Sequence, residues 1–314
     1  MNHPVDATID SAALIDELLK HRKADRRAGL IKTGVIALGF AAYAAATYFV
    51  LSPTLSVPPT EPYAAVIPVN GVIADGKPAS YEHIAPLLKQ AFKDDLVKGV
   101  VLRINSPGGT PVQSSLIHDL VLELKKEHSK PVLAVGEDYM TSGAYFIASA
   151  ADNLVVNRST VTGSIGVISA GFGFQDVLAK LGIERRVSTA GNSKNLGDSF
   201  IPETEASLAK KHELLTDIHK HFIDAVVAGR GDRLKQDTPG LFEGNVWTGE
   251  KALAAGLVDG LGSVDNSVEK FLGVKKTMTL YRKRPLMDSI LDSVALKAGA
   301  LIAGQAEHPQ LLPE

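Results

Sequence analysis

The sequence predicts an α/β fold, repeated βα units around a mostly parallel sheet, preceded by one transmembrane helix. Three observations predict it. Apolar, β-rich runs at Ala64 to Val69, Gly99 to Ile104, Pro131 to Val135 and Leu154 to Val156 alternate with helical patterns at Tyr81 to Phe92, Val112 to Glu127 and Ala144 to Ala151. Such alternation is the pattern of parallel strands joined by crossover helices. A glycine-rich turn, Asn105 to Gly109, directly follows the second run, at the carboxyl end of a strand where sheets of this kind carry their functional loops. Finally, Thr33 to Leu51 contains no charged residue, and its nineteen positions are about the length that crosses a hydrocarbon core of roughly 30 Å as a helix.

The elements follow in order. Residues 1–32 are polar, with one amphipathic patch at Ala12 to Lys20 that predicts a short helix at the cytoplasmic surface. Arg22, Lys23, Arg26, Arg27 and Lys32 precede the apolar span of residues 33–51, and no Lys or Arg occurs in SPTLSVPPTEP after it, so the basic side is expected to stay cytoplasmic. A cleaved secretory signal is the competing reading, because Ala44-Ala45-Ala46 resembles a small-residue cleavage site. The long polar stretch before the apolar run and its length favour an anchor. Four prolines within residues 52–62 predict an extended spacer. The catalytic domain is expected over residues 63–275. Beyond the runs already named it holds a helix at Phe174 to Leu181, a strand near Glu184 to Ser188, a long helix from Glu203 to Val227 and a short helix with glycine turns at Thr248 to Gly262. Residues 276–314 read as a C-terminal extension that opens with the strand-like TMTLY.

Composition narrows the chemistry. With 33 basic and 35 acidic residues the net charge is −2, so no electrostatic bias points to nucleic acid. The chain has no cysteine, which removes disulfides, thiolate metal sites and a cysteine nucleophile. Three motifs supply what acyl transfer needs. Ser142, between a strand-like run and an Ala-rich helical run, offers a hydroxyl at a helix start, where backbone N–H groups are free. Taken alone it reads equally as an N-cap serine. Gly108 and Gly109 allow main chain to approach a substrate carbonyl, although a turn without function is the plain alternative. If the two loops converge, the Gly109 and Gly143 N–H groups can donate to a tetrahedral oxyanion. Lys194, in the loop Ala190 to Gly197, offers a base that needs no histidine, provided the loop folds inward, since burial favours a neutral lysine. Most lysines are simply solvated. Ser164, flanked by Gly163 and Gly166, is the hydroxyl expected to orient that amine, with a structural turn serine as its alternative. These residues point to serine–lysine acyl transfer, foremost in a peptidase, with no metal or cofactor required.

Other patterns fit less well. G-x-S-x-G is absent, because Met140 and Thr162 occupy the leading glycine positions before Ser142 and Ser164. None of the nine histidines lies in the motif loops, and His219 and His221 lack the spacing of a metal pair. Ser207-Leu-Ala-Lys210 matches S-x-x-K but falls in the middle of the long helix expected from Glu203, and reads as a decoy.

The NSPGG turn, SGAYFIASAAD from Ser142, TGSIGV with its serine at 164 and the lysine at 194 together resemble the SppA family, bacterial signal peptide peptidases of the ClpP/crotonase-like superfamily. The resemblance runs from about Tyr63 to Leu272, and TGEKALAAGLVDGLG is similar to a further superfamily segment. It implies Ser142 as nucleophile, Lys194 as general base, Ser164 as the residue holding that lysine, and Gly109 with Gly143 as oxyanion donors. One motif set implies the short form, which assembles into a homo-oligomeric ring or dome where the lysine can reach a neighbouring protomer's serine. Ala144 stands where many relatives carry a second glycine. The expected activity is a membrane-anchored endopeptidase of the bacterial inner membrane with an exported catalytic domain, cleaving apolar peptides such as remnant signal peptides. The rival readings are a quality-control protease of membrane proteins, a silent peptide-binding assembly module and a crotonase-like acyl-CoA enzyme.

Overall fold

The computed structural model describes residues 11–51 and 59–282. They belong to two units, divided between Pro59 and Thr60. In the first, the helix expected at Ala12 to Lys20 and the expected span are one continuous helix, α1, over Ser11–Leu51. Within it Gly29–Tyr48 is long and apolar enough to cross a membrane, beginning four residues before the span read from charge alone. Most of the Pro-rich spacer and the extension beyond Arg282 lie outside the described residues.

The second unit is an α/β layer structure. Its strands are β1 (Tyr63–Asn70), β2 (Val97–Ser106), β3 (Val132–Thr141), β4 (Asn153–Val156), β5 (Val161–Gly163), β6 (Val246–Thr248), β7 (Gly260–Leu261) and β8 (Thr277–Thr279). Its helices are α2 (Tyr81–Lys93), α3 (Pro111–His128), α4 (Gly143–Ala148), α5 (Gln175–Lys180), α6 (Glu205–Arg230), α7 (Gly249–Ala254) and α8 (Val264–Leu272). The sheet runs β6-β5-β3-β2-β1-β8, with β4 and β7 branching from β3. Every pairing is parallel except that of β5 with β6. The strand-like TMTLY is β8, which extends the sheet beyond β1 and past residue 275.

Strands covered on both faces bury nearly every residue, and β1 shows this pattern. Ala65, Ile67 and Val69 of β1 join Val100, Leu102 and Ile104 of β2 in the larger core, with apolar residues of α2, α3 and α4. The alternate residues Ala64, Val66, Val101, Leu133 and Val135 face the other way and pack with Val268 and Leu272 of α8. Gly99 is the contact point there, since a Cβ on it would lie 2.8 Å from Leu272 Cδ2.

Two features depart from the sequence reading. Residues 184–188 form no strand: Arg185 pairs with Asp198 and Arg186 with Glu184, and no neighbouring strand offers a ladder. Strand β3 is longer than expected because it bulges. Ile104 pairs with Gly136 and Ser106 with Met140, so Glu137, Asp138 and Tyr139 form an exposed excursion that lets one strand pair first with β4 and then with β5.

A buried ion pair fastens α6 to the strand ends. Arg230, 1% exposed, sends two guanidinium nitrogens to Asp259 at 2.8 and 2.7 Å and donates through Nε to the Gly256 carbonyl. Asp259 also accepts from the Leu154 N–H, and Tyr145 of α4 donates to the Leu257 carbonyl at 2.6 Å. Burial pushes the Asp259 carboxyl up, but the hydrogen bonds from Arg230 and Leu154 and the Arg230 and Arg233 charges outweigh it and hold the group below its ordinary value. Arg230→Ala removes two charge-assisted hydrogen bonds from Asp259 and leaves it Arg233 and the Leu154 N–H, and we expect it to cost about 1.5–3 kcal/mol in urea unfolding. Because Asp259 titrates lower in the folded chain than in the unfolded one, its contribution is present above about pH 4 and falls away below it, as unfolding followed against pH will report.

Candidate active site

Parallel strands that end at the same level deliver their following turns side by side. Thr141, the last residue of β3, pairs with Gly163, the last of β5, so Ser142 and Ser164 leave adjacent strands together. The Ser142 N–H donates to the Gly163 carbonyl at 2.8 Å, and the Ser164 N–H to the Asn245 carbonyl at 2.8 Å. Both serines are half-buried and both have φ +53°, a value non-glycine residues rarely adopt. Ser142, with ψ −126°, makes a sharp strand-to-helix turn into α4. This is the strained geometry of a nucleophile turn, reached without the G-x-S-x-G sequence. Helix α4 is only six residues long, shorter than expected, so its individual N–H groups matter here and not a helix dipole.

The NSPGG turn lies against this junction. Gly108 has φ +104°, and a Cβ on it would lie 2.7 Å from Ser142 Cβ and 2.9 Å from Gly143 N. Gly109 makes a bridge with Ile73, whose N–H donates to the Gly108 carbonyl and whose carbonyl accepts from the Thr110 N–H. A Cβ at Gly109 would overlap that Ile73 carbonyl, so only glycine fits. A Cβ on Gly143 would lie 3.2 Å from Gly109 N. The two loops thus converge, and neither Gly109 N–H nor Gly143 N–H has a hydrogen-bond partner among the described residues. Asn105 braces the turn from the far side, donating to Asp138 and accepting from the Tyr139 N–H of the β3 bulge.

Lys194 is elsewhere. It sits on an exposed turn, its N–H donating to the Gly191 carbonyl, and no hydrogen bond among the described residues joins it to Ser142 or Ser164. The expectation that its loop folds inward fails within one chain, because residues 167–194 pack little against the sheet. Ile168 is 86% exposed, Phe172 80%, and α5 buries no side chain.

Sequence reasoning missed several neighbours. Trp247, the single tryptophan, lies over Gly163, whose added Cβ would meet its Cδ1 at 2.6 Å. His219 of α6 is 3.2 Å from the Ile165 carbonyl, one residue past Ser164. Ser207 is at the first turn of α6 and not in its middle, tied to Thr204 in a capping box, while Lys210 pairs with Glu213. That S-x-x-K is thus a helix start. Among the described residues no group of three His, Asp or Glu side chains is placed to hold a metal ion.

The φ of Ser142 generates a prediction. Relief of backbone strain of order 1–3 kcal/mol outweighs the extra unfolded-state freedom of glycine, so Ser142→Gly should unfold about 1 kcal/mol harder than Ser142→Ala, read by chemical denaturation.

A model of peptidase family S49 matches residues 124–276, a stretch that holds Ser142, Gly143, Ser164 and Lys194. A Synechocystis protein with protease in its name is 32% identical over 209 residues, 65% of this chain and 71% of its own. An Enterococcus faecium protein with signal peptide peptidase SppA in its name is 29% identical over 219 residues, 66% of this chain and 62% of its own. A Brucella abortus protein named Na(+)/H(+) antiporter NhaA is 39% identical over 246 residues, 76% of this chain. This chain spans only 33% of that protein's length, so the antiporter name describes a whole most of which lies outside the match.

Proposed function

Because the chain belongs to peptidase family S49 and is a serine peptidase, we propose that Ser142 is its nucleophile, Lys194 its general base, Ser164 the hydroxyl that orients the lysine, and Gly109 with Gly143 its oxyanion donors. The observation that carries this reading is the junction itself. A strained serine stands beside a second serine and beside two main-chain N–H groups that have no partner among the described residues.

The chemistry follows from these positions. The Lys194 amine takes the Ser142 proton as Oγ bonds the scissile carbonyl carbon. The carbonyl oxygen becomes an anion facing the Gly109 and Gly143 N–H groups. The C–N bond then breaks, the lysine ammonium protonates the departing amine, and an acyl ester remains on Ser142. Water, deprotonated by the same amine, releases the acid and restores the serine.

In this reading the lysine comes from a second copy. The exposure of Lys194 supports that assembly, as does the run of apolar side chains between Ile168 and Val187 left open to solvent. The basic flank before α1 and the apolar stretch within it support an anchored protein with its N-terminus in the cytoplasm and the peptidase unit beyond the bacterial inner membrane. Substrates leaving the bilayer would reach such a site, which favours apolar peptides, remnant signal peptides among them. The relative with signal peptide peptidase in its name supports that class.

The test is cleavage of an apolar signal-peptide substrate by the full chain in detergent. Ser142→Ala and Lys194→Ala should each lose at least about a hundredfold in rate. Co-assembled from a mixture of the two variants, the protein should regain part of the activity, because some sites then combine an intact serine with an intact lysine. A mixture as inactive as its components would place the base within one protomer, and full activity in Lys194→Ala would remove the lysine from the mechanism.

A further inference from the structure

We infer that Ser114, at the start of α3, is a positioning residue that sets the gap between the two oxyanion donors; this rests on the catalytic reading above. Ser114 is 1% exposed, and its Oγ donates to the Thr110 carbonyl at 3.0 Å. Thr110 directly follows Gly109, and its own N–H is held by Ile73, so the hydroxyl is fastened to the end of the NSPGG turn. On its other side the same oxygen occupies the place a Gly143 side chain would take, since a Cβ built there overlaps Ser114 Oγ. Gly109 N lies 3.2 Å from that Cβ position. Thus Gly109 N, Ser114 Oγ and the Gly143 main chain close around one point, with the serine as the spacer between the two segments just beyond the last β2–β3 pairing, Ser106 with Met140.

The hydroxyl proton is committed to Thr110, so Ser114 does not itself bind the oxyanion. Its effect is geometric. Two N–H groups stabilise one developing charge only when both lie about 2.7–3.1 Å from the same oxygen, and a misplacement near 1 Å costs on the order of a hundredfold. Packing alone would be met by an apolar group. A buried hydroxyl is tolerated where it is hydrogen-bonded, and here that bond fixes the spacer to one of the two loops it separates.

The experiment compares wild type, Ser114→Ala and Ser114→Cys as full chains in detergent. Active sites are counted by a serine-reactive phosphonate, kcat per counted site and KM are measured on an apolar peptide, and the affinity of a peptidyl boronate, which forms a tetrahedral anion on the serine, is measured alongside. We expect Ser114→Ala to lower kcat per site by about tenfold, to weaken the boronate by a similar factor and to leave KM within about twofold, with Ser114→Cys recovering most of the loss. Unchanged kcat per site and boronate affinity in Ser114→Ala overturn the inference, and so does a loss confined to the number of active sites, which is the signature of a purely structural role. A wild type that neither cleaves peptide nor takes up phosphonate overturns the catalytic reading and this inference with it. An active wild type beside an equally active Ser114→Ala overturns this inference alone.

Discussion

The candidate site depends on one register. Strands β3 and β5 pair so that Thr141 and Gly163 are level at their carboxyl ends, and all that follows is a consequence of where those two strands stop. A slip of one residue would turn each side chain to the opposite face of the sheet and separate Ser142 from Ser164. The pairing is held from both sides. The β3 bulge releases the strand from β4 and lets its last three residues reach β5, and β6 closes on β5 from the outer edge, the Asn245 carbonyl just before it accepting from Ser164. Two residues at φ +53° can persist only where such surroundings over-determine them.

The second constraint is space. Gly108, Gly109 and Gly143 meet Ser142, Ile73 and Ser114 so closely that a methyl group at any of the three would collide. The main chain of the two loops is thereby brought together more closely than side chains of ordinary size would allow. Behind this layer α4 is tied through Tyr145 to the segment that Arg230 and Asp259 hold in place, so the turn at Ser142 is backed by a buried and hydrogen-bonded support. The dense junction contrasts with residues 167–194, where large apolar side chains face solvent. The rigid half carries the proposed nucleophile and oxyanion donors, and the loosely packed half carries the proposed base.

Much of this was legible in the sequence because the relevant signals are local. Apolar runs gave β1, β2 and β4 to within about two residues at each end and the start of β3, and the NSPGG turn stood at the carboxyl end of β2. What was not legible depends on distant partners. The run at Glu184 to Ser188 follows Ile183 and contains Val187, both strand-like, but a strand also needs a neighbouring edge, and the arginines there find carboxylates instead. The bulge at Glu137 to Tyr139 is a mismatch between two strands and has no mark in either alone. Ser114 looks like any serine near a helix start, and only the glycine it touches distinguishes it. Arg230 is a lone cation at a helix end until Asp259, twenty-nine positions later, is folded against it. Lys194 was singled out by its loop and by family resemblance, yet in the single chain it lies on an exposed turn.

The central claim is that Ser142 is the nucleophile, and the most direct test is to map a covalent adduct. The full chain in detergent, treated with a serine-reactive phosphonate and digested, should carry the modification on the peptide containing Ser142, with fragment ions assigning it to that residue. Modification of Ser164, Ser114 or Ser207 in its place, or none on a folded and assembled protein, would contradict the account.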